Sequence, residues 1–155
     1  MLDPRVFCAL RNAIAGGIAV VIMHELASLA GLPIAVVPFA CSIILLLCLP
    51  DSESAQPRSV VGGHVVCALS GCIAALLMGP SWLSVSTGIG LAMLFMELSR
   101  TVHPPAGLTA LIAATHAKTW EFVLVPVLSG AAILVLLCFL YYRVFGHSRW
   151  PKTWI

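Results

Sequence analysis

Charged residues are scarce in this chain. Charged residues make up only 9% of its 155 residues, whereas hydrophobic residues make up 61%. A soluble domain carries roughly a quarter charged residues, so this scarcity predicts an integral membrane protein. The formal net charge of +2 is too small to indicate a nucleic-acid partner. The length leaves room for a single membrane domain over residues 1–155 and for no sizeable soluble domain.

Several patterns of catalytic and metal sites are also lacking. The six cysteines form no C-x-x-C pair, so they are expected to be small buried thiols and not a disulfide frame or a metal site. His24-Glu25 lacks the second histidine of a zinc-protease helix. The chain has neither a glycine-rich phosphate loop nor a nucleophile elbow. We therefore expect no enzyme activity, no cofactor and no metal.

The apolar residues form segments of helical length, which predicts an all-α integral membrane fold. Six segments can be drawn, at about 9–32, 33–50, 59–79, 82–101, 105–116 and 121–145. A hydrocarbon core needs about 20 helical residues, and the second and fifth segments are shorter than that. Each short segment follows a proline, in Pro38-Phe39-Ala40-Cys41-Ser42 and in Pro105-Ala106-Gly107-Leu108-Thr109.

The two halves of the chain, about 8–79 and 80–146, look related. A shift of 67 residues places Pro38 on Pro105, Ser42 on Thr109 and Gly63 on Gly130. Interrupted segments in corresponding places are a sequence sign of a transport site between inverted repeats. We therefore predict two three-segment halves, probable inverted repeats, each with a short proline-broken half-helix. Chance similarity between apolar segments is the alternative.

Basic residues distinguish two topologies. If both short segments cross, only Lys118 lies opposite the side that holds every other lysine and arginine. If both re-enter, Arg58, Arg100 and Lys118 lie opposite the termini. The positive-inside tendency favours six passages with cytoplasmic termini. The first apolar run has no convincing cleavage site and no transit segment precedes it, so we expect a retained first helix and a bacterial inner membrane.

The starts of the two short helices are the first candidate binding site. A helix N-terminus has unpaired N–H groups and about half a positive charge, which lipid cannot satisfy and which an anion can. If the two ends face each other, Ser42 and Thr109 would add hydroxyl donors. The alternative is that these hydroxyls only bond to carbonyls one turn back. The predicted substrate-binding residues are Pro38, Ala40, Cys41, Ser42, His103, Pro105, Gly107 and Thr109.

Two further groups of polar residues have functional interpretations. Arg58, His64 and Arg100 are expected to attract or gate an anion at one mouth, and Glu97 either pairs with Arg100 or accepts a proton. His24 and Glu25 lie inside the first segment. A carboxylate there should face the bundle interior, a partner or water, which makes it a candidate for proton coupling. For each group a structural role near the membrane border is the alternative.

Three ordered motifs carry a family resemblance over about residues 10 to 140. His103-Pro104-Pro105-Ala106-Gly107-Leu108-Thr109 resembles the signature of the HPP family of integral membrane proteins. The stretch from Pro38 to Ser42, then 55–58 and Gly62-Gly63-His64, is similar to the other shared block of that family. The resemblance implies nitrite transport, with which members from chloroplasts and cyanobacteria are associated, in a fold usually drawn with four helices. This chain departs from the family at 51–54 and at Ala40-Cys41.

The sequence therefore predicts a transporter or channel for a small monovalent anion, with nitrite first and proton coupling as an added expectation. Its partners would be a small inorganic anion, the lipid bilayer and further copies of the chain in a homo-oligomer. Two alternatives stay open. One is a non-transporting scaffold that packs through glycines such as Gly16, Gly17, Gly62 and Gly63. The other is a membrane enzyme built on His24, Glu25, His64 and His103.

Overall fold

The chain folds into a bundle of six helices, seen in a computed structural model that describes residues 3–29, 31, 36–116, 119–145 and 150–154. The described residues form no strand, which confirms the all-α prediction. The helices are α1 Pro4–Leu29, α2 Val36–Cys48, α3 Pro57–Met78, α4 Trp82–Ser99, α5 Gly107–Thr115 and α6 Trp120–Phe145. Short 3₁₀ turns at Glu53–Ala55 and Pro104–Ala106 precede α3 and α5.

Local sequence signals explain where the helices begin. Asp3 accepts a side-chain hydrogen bond from the Arg5 N–H, so α1 starts earlier than its apolar run. Pro38 lies in the first turn of α2, where no intrahelical N–H is needed, so α2 begins before the proline and not after it. Pro57 occupies the first turn of α3. Ser81 and Ser84 form a reciprocal capping box at the start of α4.

Hydrogen bonds place both termini at one end of the bundle, which we call the terminal end. The Asn12 side chain donates to the Leu47 carbonyl, so the first turns of α1 lie beside the last turn of α2. The Arg11 guanidinium donates to the carbonyl of Phe145, the last residue of α6. The Trp150 indole donates to Ala55 and the Arg58 guanidinium donates to Ser99, which brings loops 49–56 and 100–103 to the same end.

The chain therefore changes direction at every helix, including the two short ones. This is the arrangement that full crossing by α2 and α5 requires, and it differs from a pair of re-entrant segments that begin and end on one side. Four helices, α1, α3, α4 and α6, are long and apolar enough to span a membrane. At 1.5 Å per residue, α2 with 13 residues is about 20 Å long, and α5 with 9 residues is shorter still. Lys118 lies outside the described residues.

Small residues let α3, α4 and α5 approach closely. A Cβ on Gly71 of α3 would lie 2.4 Å from the Ala110 carbonyl oxygen of α5 and 2.7 Å from the Ala113 Cβ. A Cβ on Gly88 of α4 would lie 3.1 Å from the Gly71 Cα. Close backbone approach through small residues is how membrane helices gain packing energy where lipid offers no hydrophobic drive. By contrast, the buried residue of α1 is Met23, so most of this helix faces outward.

Helix α6 contains a widened, π-helical turn at Val123–Leu128 with Pro126 inside it. A proline has no N–H to donate and its ring crowds the preceding turn, which a wider turn relieves. Just beyond, a Cβ on Gly130 would meet the Phe39 ring at 2.6 Å. Helix α6 thereby holds Phe39 of α2 against the centre of the bundle.

We predict that Gly71→Ala destabilises the bundle, since the added methyl group meets the α5 backbone and not a movable side chain. Overpacking of this kind costs about 1–3 kcal/mol. The melting temperature of the purified protein in detergent should fall by several degrees. Gly90→Ala on α4 is the matched control, because a Cβ there meets nothing within 4 Å. Equal melting temperatures for the two variants would contradict the packing described.

Candidate functional site

Four side chains from four parts of the chain join in one buried hydrogen-bonded network. The Ser42 Oγ lies 3.0 Å from Nε2 of His64 and 2.8 Å from Nε2 of His103. The Nδ1 of His64 lies 2.8 Å from the Thr109 Oγ1. The Nδ1 of His103 lies 2.6 Å from the Ser54 carbonyl oxygen. We call Ser42, His64, His103 and Thr109 the histidine network.

Each member is positioned by a different element. Ser42 lies in α2, His64 in α3 and Thr109 near the start of α5. Arg100 closes α4 in the left-handed region, at φ 55°, and turns the chain into the extended stretch that carries His103. Pro104 favours that extended conformation in the residue before it. The network therefore ties the two short helices to α3 at a single point.

The histidine network is closed to solvent in this conformation. Ser42, His64 and His103 are 0% exposed and Thr109 is 1% exposed. The Phe39 ring lies 4.8 Å from the His64 ring, centroid to centroid. Gly63 makes room for His103, whose Cβ would lie 2.7 Å from a Cβ at that position. The four side chains therefore present almost no surface to solvent in this conformation.

The start of α5 supplies few free backbone donors, which departs from the sequence-based expectation. Pro104 and Pro105 have no N–H, and the Ala106 N–H already bonds to the His103 carbonyl. The Gly107 N–H bonds back into the 3₁₀ turn. The donors at the start of α5 are therefore side chains. For Ser42, the expected bond to a carbonyl one turn back is present, at 3.1 Å to Pro38, but as one of three contacts.

The other predicted substrate-binding residues are divided between the network and the surface. Pro38 is buried and its carbonyl contacts Ser42. Cys41 is exposed, so its side chain adds no bulk to the network.

The remaining predicted substrate-binding residues lie at the surface or near the start of α5. Ala40 lines a groove of about 730 Å³ between α1 and α2. Gly107 lines a second groove of about 480 Å³ that it shares with Glu97 and Pro104. Pro105 is half-buried at the start of α5.

The structure does not bring together the three residues that were expected at one mouth. Arg58 and Arg100 are exposed at the terminal end, and the Arg58 guanidinium donates to the Ser99 carbonyl at 2.7 Å. His64 does not accompany them, because it lies inside the bundle at the centre of the network. This central position of His64 was not predicted from the sequence. A histidine within an apolar span is itself a sign of function, and that signal pointed to His64.

The residues suggested for proton coupling lie apart from the network. His24 and Glu25 are exposed on α1, and His24 lies 3.5 Å from the Ser28 hydroxyl. Glu97 is exposed on α4. It forms no ion pair with Arg100; the ion pair among the described residues joins Lys152 to Asp51. His24 and Glu25 near the far end of α1 do not meet His64 and His103, and no metal-binding group of three or more His, Cys, Asp or Glu residues occurs within the described ranges.

Comparison with known proteins assigns the chain to a family. A family model describing the HPP transmembrane region matches residues 3–151. The chain belongs to the HPP family. Two transmembrane proteins of Dictyostelium discoideum are each 31% identical to this HPP chain over 124 residues, which is 75% of its length. The HPP chain spans 40% of one relative and 44% of the other, less than half of each. No solved structure matches it significantly.

We predict that His64→Phe in this HPP protein lowers stability strongly. A phenyl ring fills similar space but leaves the Thr109 hydroxyl without its ring nitrogen and removes one of the three partners of Ser42. An unsatisfied buried polar group costs about 1–3 kcal/mol. The melting temperature in detergent is the measurement. His24→Phe is the matched control, since that histidine is exposed on its helix. If both variants melt with the wild type, the network contributes nothing to stability.

Proposed function

We propose that this HPP protein carries a small monovalent anion across the membrane, with nitrite as the first candidate. One observation carries the proposal, the closed network of Ser42, His64, His103 and Thr109 inside an apolar bundle. Polar groups inside a membrane protein are costly and commonly mark a substrate or ion pathway. The network also lies where the two short helices meet α3, which is where transporters with broken helices bind substrate.

The chemistry of the network suits a small anion. Hydroxyl and imidazole N–H groups donate hydrogen bonds to an anion without the desolvation cost of a buried lysine or arginine. In the closed state these groups bond to one another. An anion would replace those mutual bonds, with Ser42 and Thr109 turning their hydroxyls toward it. Such an exchange keeps every donor hydrogen-bonded both before and after the anion binds. No buried donor is then left unsatisfied when the anion leaves the network.

The distribution of basic residues supports both the anion and an orientation. The described lysines and arginines lie at the terminal end, in Arg5, Arg11, Arg58, Arg100, Arg143 and Lys152. A cationic end raises the local concentration of anions. By the positive-inside tendency it also faces the cytoplasm. The bacterial inner membrane and the homo-oligomer expected from the sequence stay predictions; cell fractionation and the mass of the purified protein in detergent test them.

Thr109→Val tests the proposed function. Valine keeps the shape of the side chain but removes the hydroxyl that contacts His64. We expect the uptake of nitrite into liposomes that hold the purified protein to fall at least tenfold. Nitrate and formate should be measured in parallel to rank small anions.

Thr115→Val is the control on the same helix, because the Thr115 hydroxyl bonds to the Leu111 carbonyl of its own helix at 2.8 Å. Its uptake should match the wild type. Wild-type protein that moves none of the three anions would refute transport. Anion uptake that Thr109→Val leaves intact would remove the network from the pathway. A scaffold function would leave both variants indistinguishable from wild type in cells.

A further inference from the structure

The hydrogen bonds of the histidine network can be assigned a direction, starting from the Ser54 carbonyl. A carbonyl oxygen only accepts, so Nδ1 of His103 must carry a proton and donate to it. In a neutral His103, Nε2 then accepts, and the Ser42 hydroxyl donates to it. Ser42 in turn accepts from Nε2–H of His64, whose Nδ1 accepts from the Thr109 hydroxyl. All donors in the neutral network point the same way, from Thr109 toward Ser54.

The Ser42 hydroxyl has a second hydrogen-bond acceptor within reach. The Pro38 carbonyl lies 3.1 Å from its Oγ, and one hydroxyl cannot donate to both Pro38 and His103. If the hydroxyl turns to Pro38, Nε2 of His103 faces an oxygen lone pair and must itself be protonated. His103 is then an imidazolium that donates from both ring nitrogens. The same coordinates thus accommodate the network with and without one extra proton, through rotation of a single hydroxyl.

No negatively charged side chain of the surrounding elements offsets the positive charge that the extra proton brings. The charged side chains nearest in sequence to members of the network and to Ser54 are Glu53, Arg58 and Arg100, and all three are exposed. On α3 the Cys67 thiol points to the Met96 sulfur, and on α6 the Tyr142 hydroxyl bonds to the Leu46 carbonyl. The remaining titratable groups of α2, α4 and α6 are Cys41, Cys48, Glu97, Glu121, Cys138, Tyr141 and Arg143, and no described contact joins any of them to either histidine. An uncompensated charge there is costly, so a cationic His103 needs a mobile counter-ion.

We propose that His64, Ser42 and His103 form a proton relay that takes up one proton with each transported anion. In a conformation open to water, the Thr109 hydroxyl turns away from Nδ1 of His64 and a proton from water adds to that nitrogen. The proton on Nε2 of His64 then passes to the Ser42 Oγ. The original Ser42 proton passes to Nε2 of His103. One proton is thereby moved from Nδ1 of His64 to Nε2 of His103, leaving neutral His64, neutral Ser42 and cationic His103.

The relay rests on the proposed anion transport, because the anion supplies the counter-charge. An anion held by the network favours protonation of His103, and the protonated ring favours the anion by the same free energy. The direction of the relay also fits transport. His103 is held by Ser54 in the loop at the terminal end, whereas Thr109 lies further along α5 into the bundle. The relay therefore runs from inside the bundle toward the terminal end.

Flux measurements with controlled gradients test the coupling. One proton with one monovalent anion moves no net charge. We therefore expect an inward proton gradient to raise wild-type nitrite uptake into liposomes at least tenfold. A potassium diffusion potential set with valinomycin should leave uptake unchanged. Empty liposomes correct for leakage of the undissociated acid. Ser42→Ala, which breaks the link between the two histidines, should lose the response to the proton gradient. Ser86→Ala, exposed on α4, is the control and should keep it.

The failures of the two proposals are distinct. Absence of nitrite, nitrate and formate flux refutes the transport function and the coupling together. Flux that follows the membrane potential and ignores the proton gradient refutes the coupling alone. Retention of the gradient response in Ser42→Ala also refutes the relay. Should Ser42→Ala not fold, His103→Gln replaces it, because a glutamine amide keeps hydrogen bonds but takes up no proton.

A second measurement needs no folded variant of Ser42. The bond directions require His64 to carry its proton on Nε2 and His103 to carry its proton on Nδ1. Nitrogen-15 chemical shifts of the histidine rings, measured by solid-state NMR on protein in bilayers, distinguish these tautomers. We expect two buried rings of opposite tautomer at neutral pH and a doubly protonated His103 on acidification with nitrite present. Two rings of the same tautomer, or double protonation of His64 in place of His103, would overturn the relay.

Discussion

The Ser42 hydroxyl is the group on which the rest of the site depends. It has one proton and three partners within 3.1 Å, two imidazole nitrogens and the Pro38 carbonyl. In the interior of a membrane protein there is no bulk water to replace a missing bond, so polar groups must satisfy one another. This oxygen is therefore the point at which α2, α3 and the His103 segment are hydrogen-bonded together. A change in the proton on either histidine must change what Ser42 donates to, and that links the charge of the site to its geometry.

Two glycines make this arrangement possible. Gly63 of α3 admits the His103 segment that precedes α5, and Gly130 of α6 admits Phe39 of α2. The contacts are reciprocal, because a glycine of each half receives the beginning of the short helix of the other half. The same shift of 67 residues that relates Pro38 to Pro105 also relates the two glycines. An inverted repeat would produce reciprocal contacts of this kind, although the repeat itself stays a prediction.

The sequence predicted the positions of the helices well, but it did not predict that His64 lies at the centre of the histidine network. Apolar runs located all six helices within about five residues of their observed ends, since helix length is a local property of the sequence. The chain could not reveal that His64 meets Ser42, which lies 22 residues away in sequence, because no local rule pairs them. One available signal was overlooked. Arg58 and His64 are six residues apart, so on a helix with 3.6 residues per turn they lie about 120° apart. His64 instead adjoins the small-residue face formed by Gly63, Cys67 and Gly71, which is buried.

The prolines also decide which donors the proposed anion site contains. A helix N-terminus attracts anions through its dipole and through free N–H groups. At the start of α5 the His-Pro-Pro sequence removes two of those N–H groups, and the 3₁₀ turn bonds those of Ala106 and Gly107. The dipole remains, but direct donation passes to His103, His64, Ser42 and Thr109. Backbone N–H groups donate at every pH, whereas imidazoles and hydroxyls can reverse direction or gain a proton. In the proposed transport, replacing the first kind of donor with the second would make anion binding and protonation two aspects of one equilibrium.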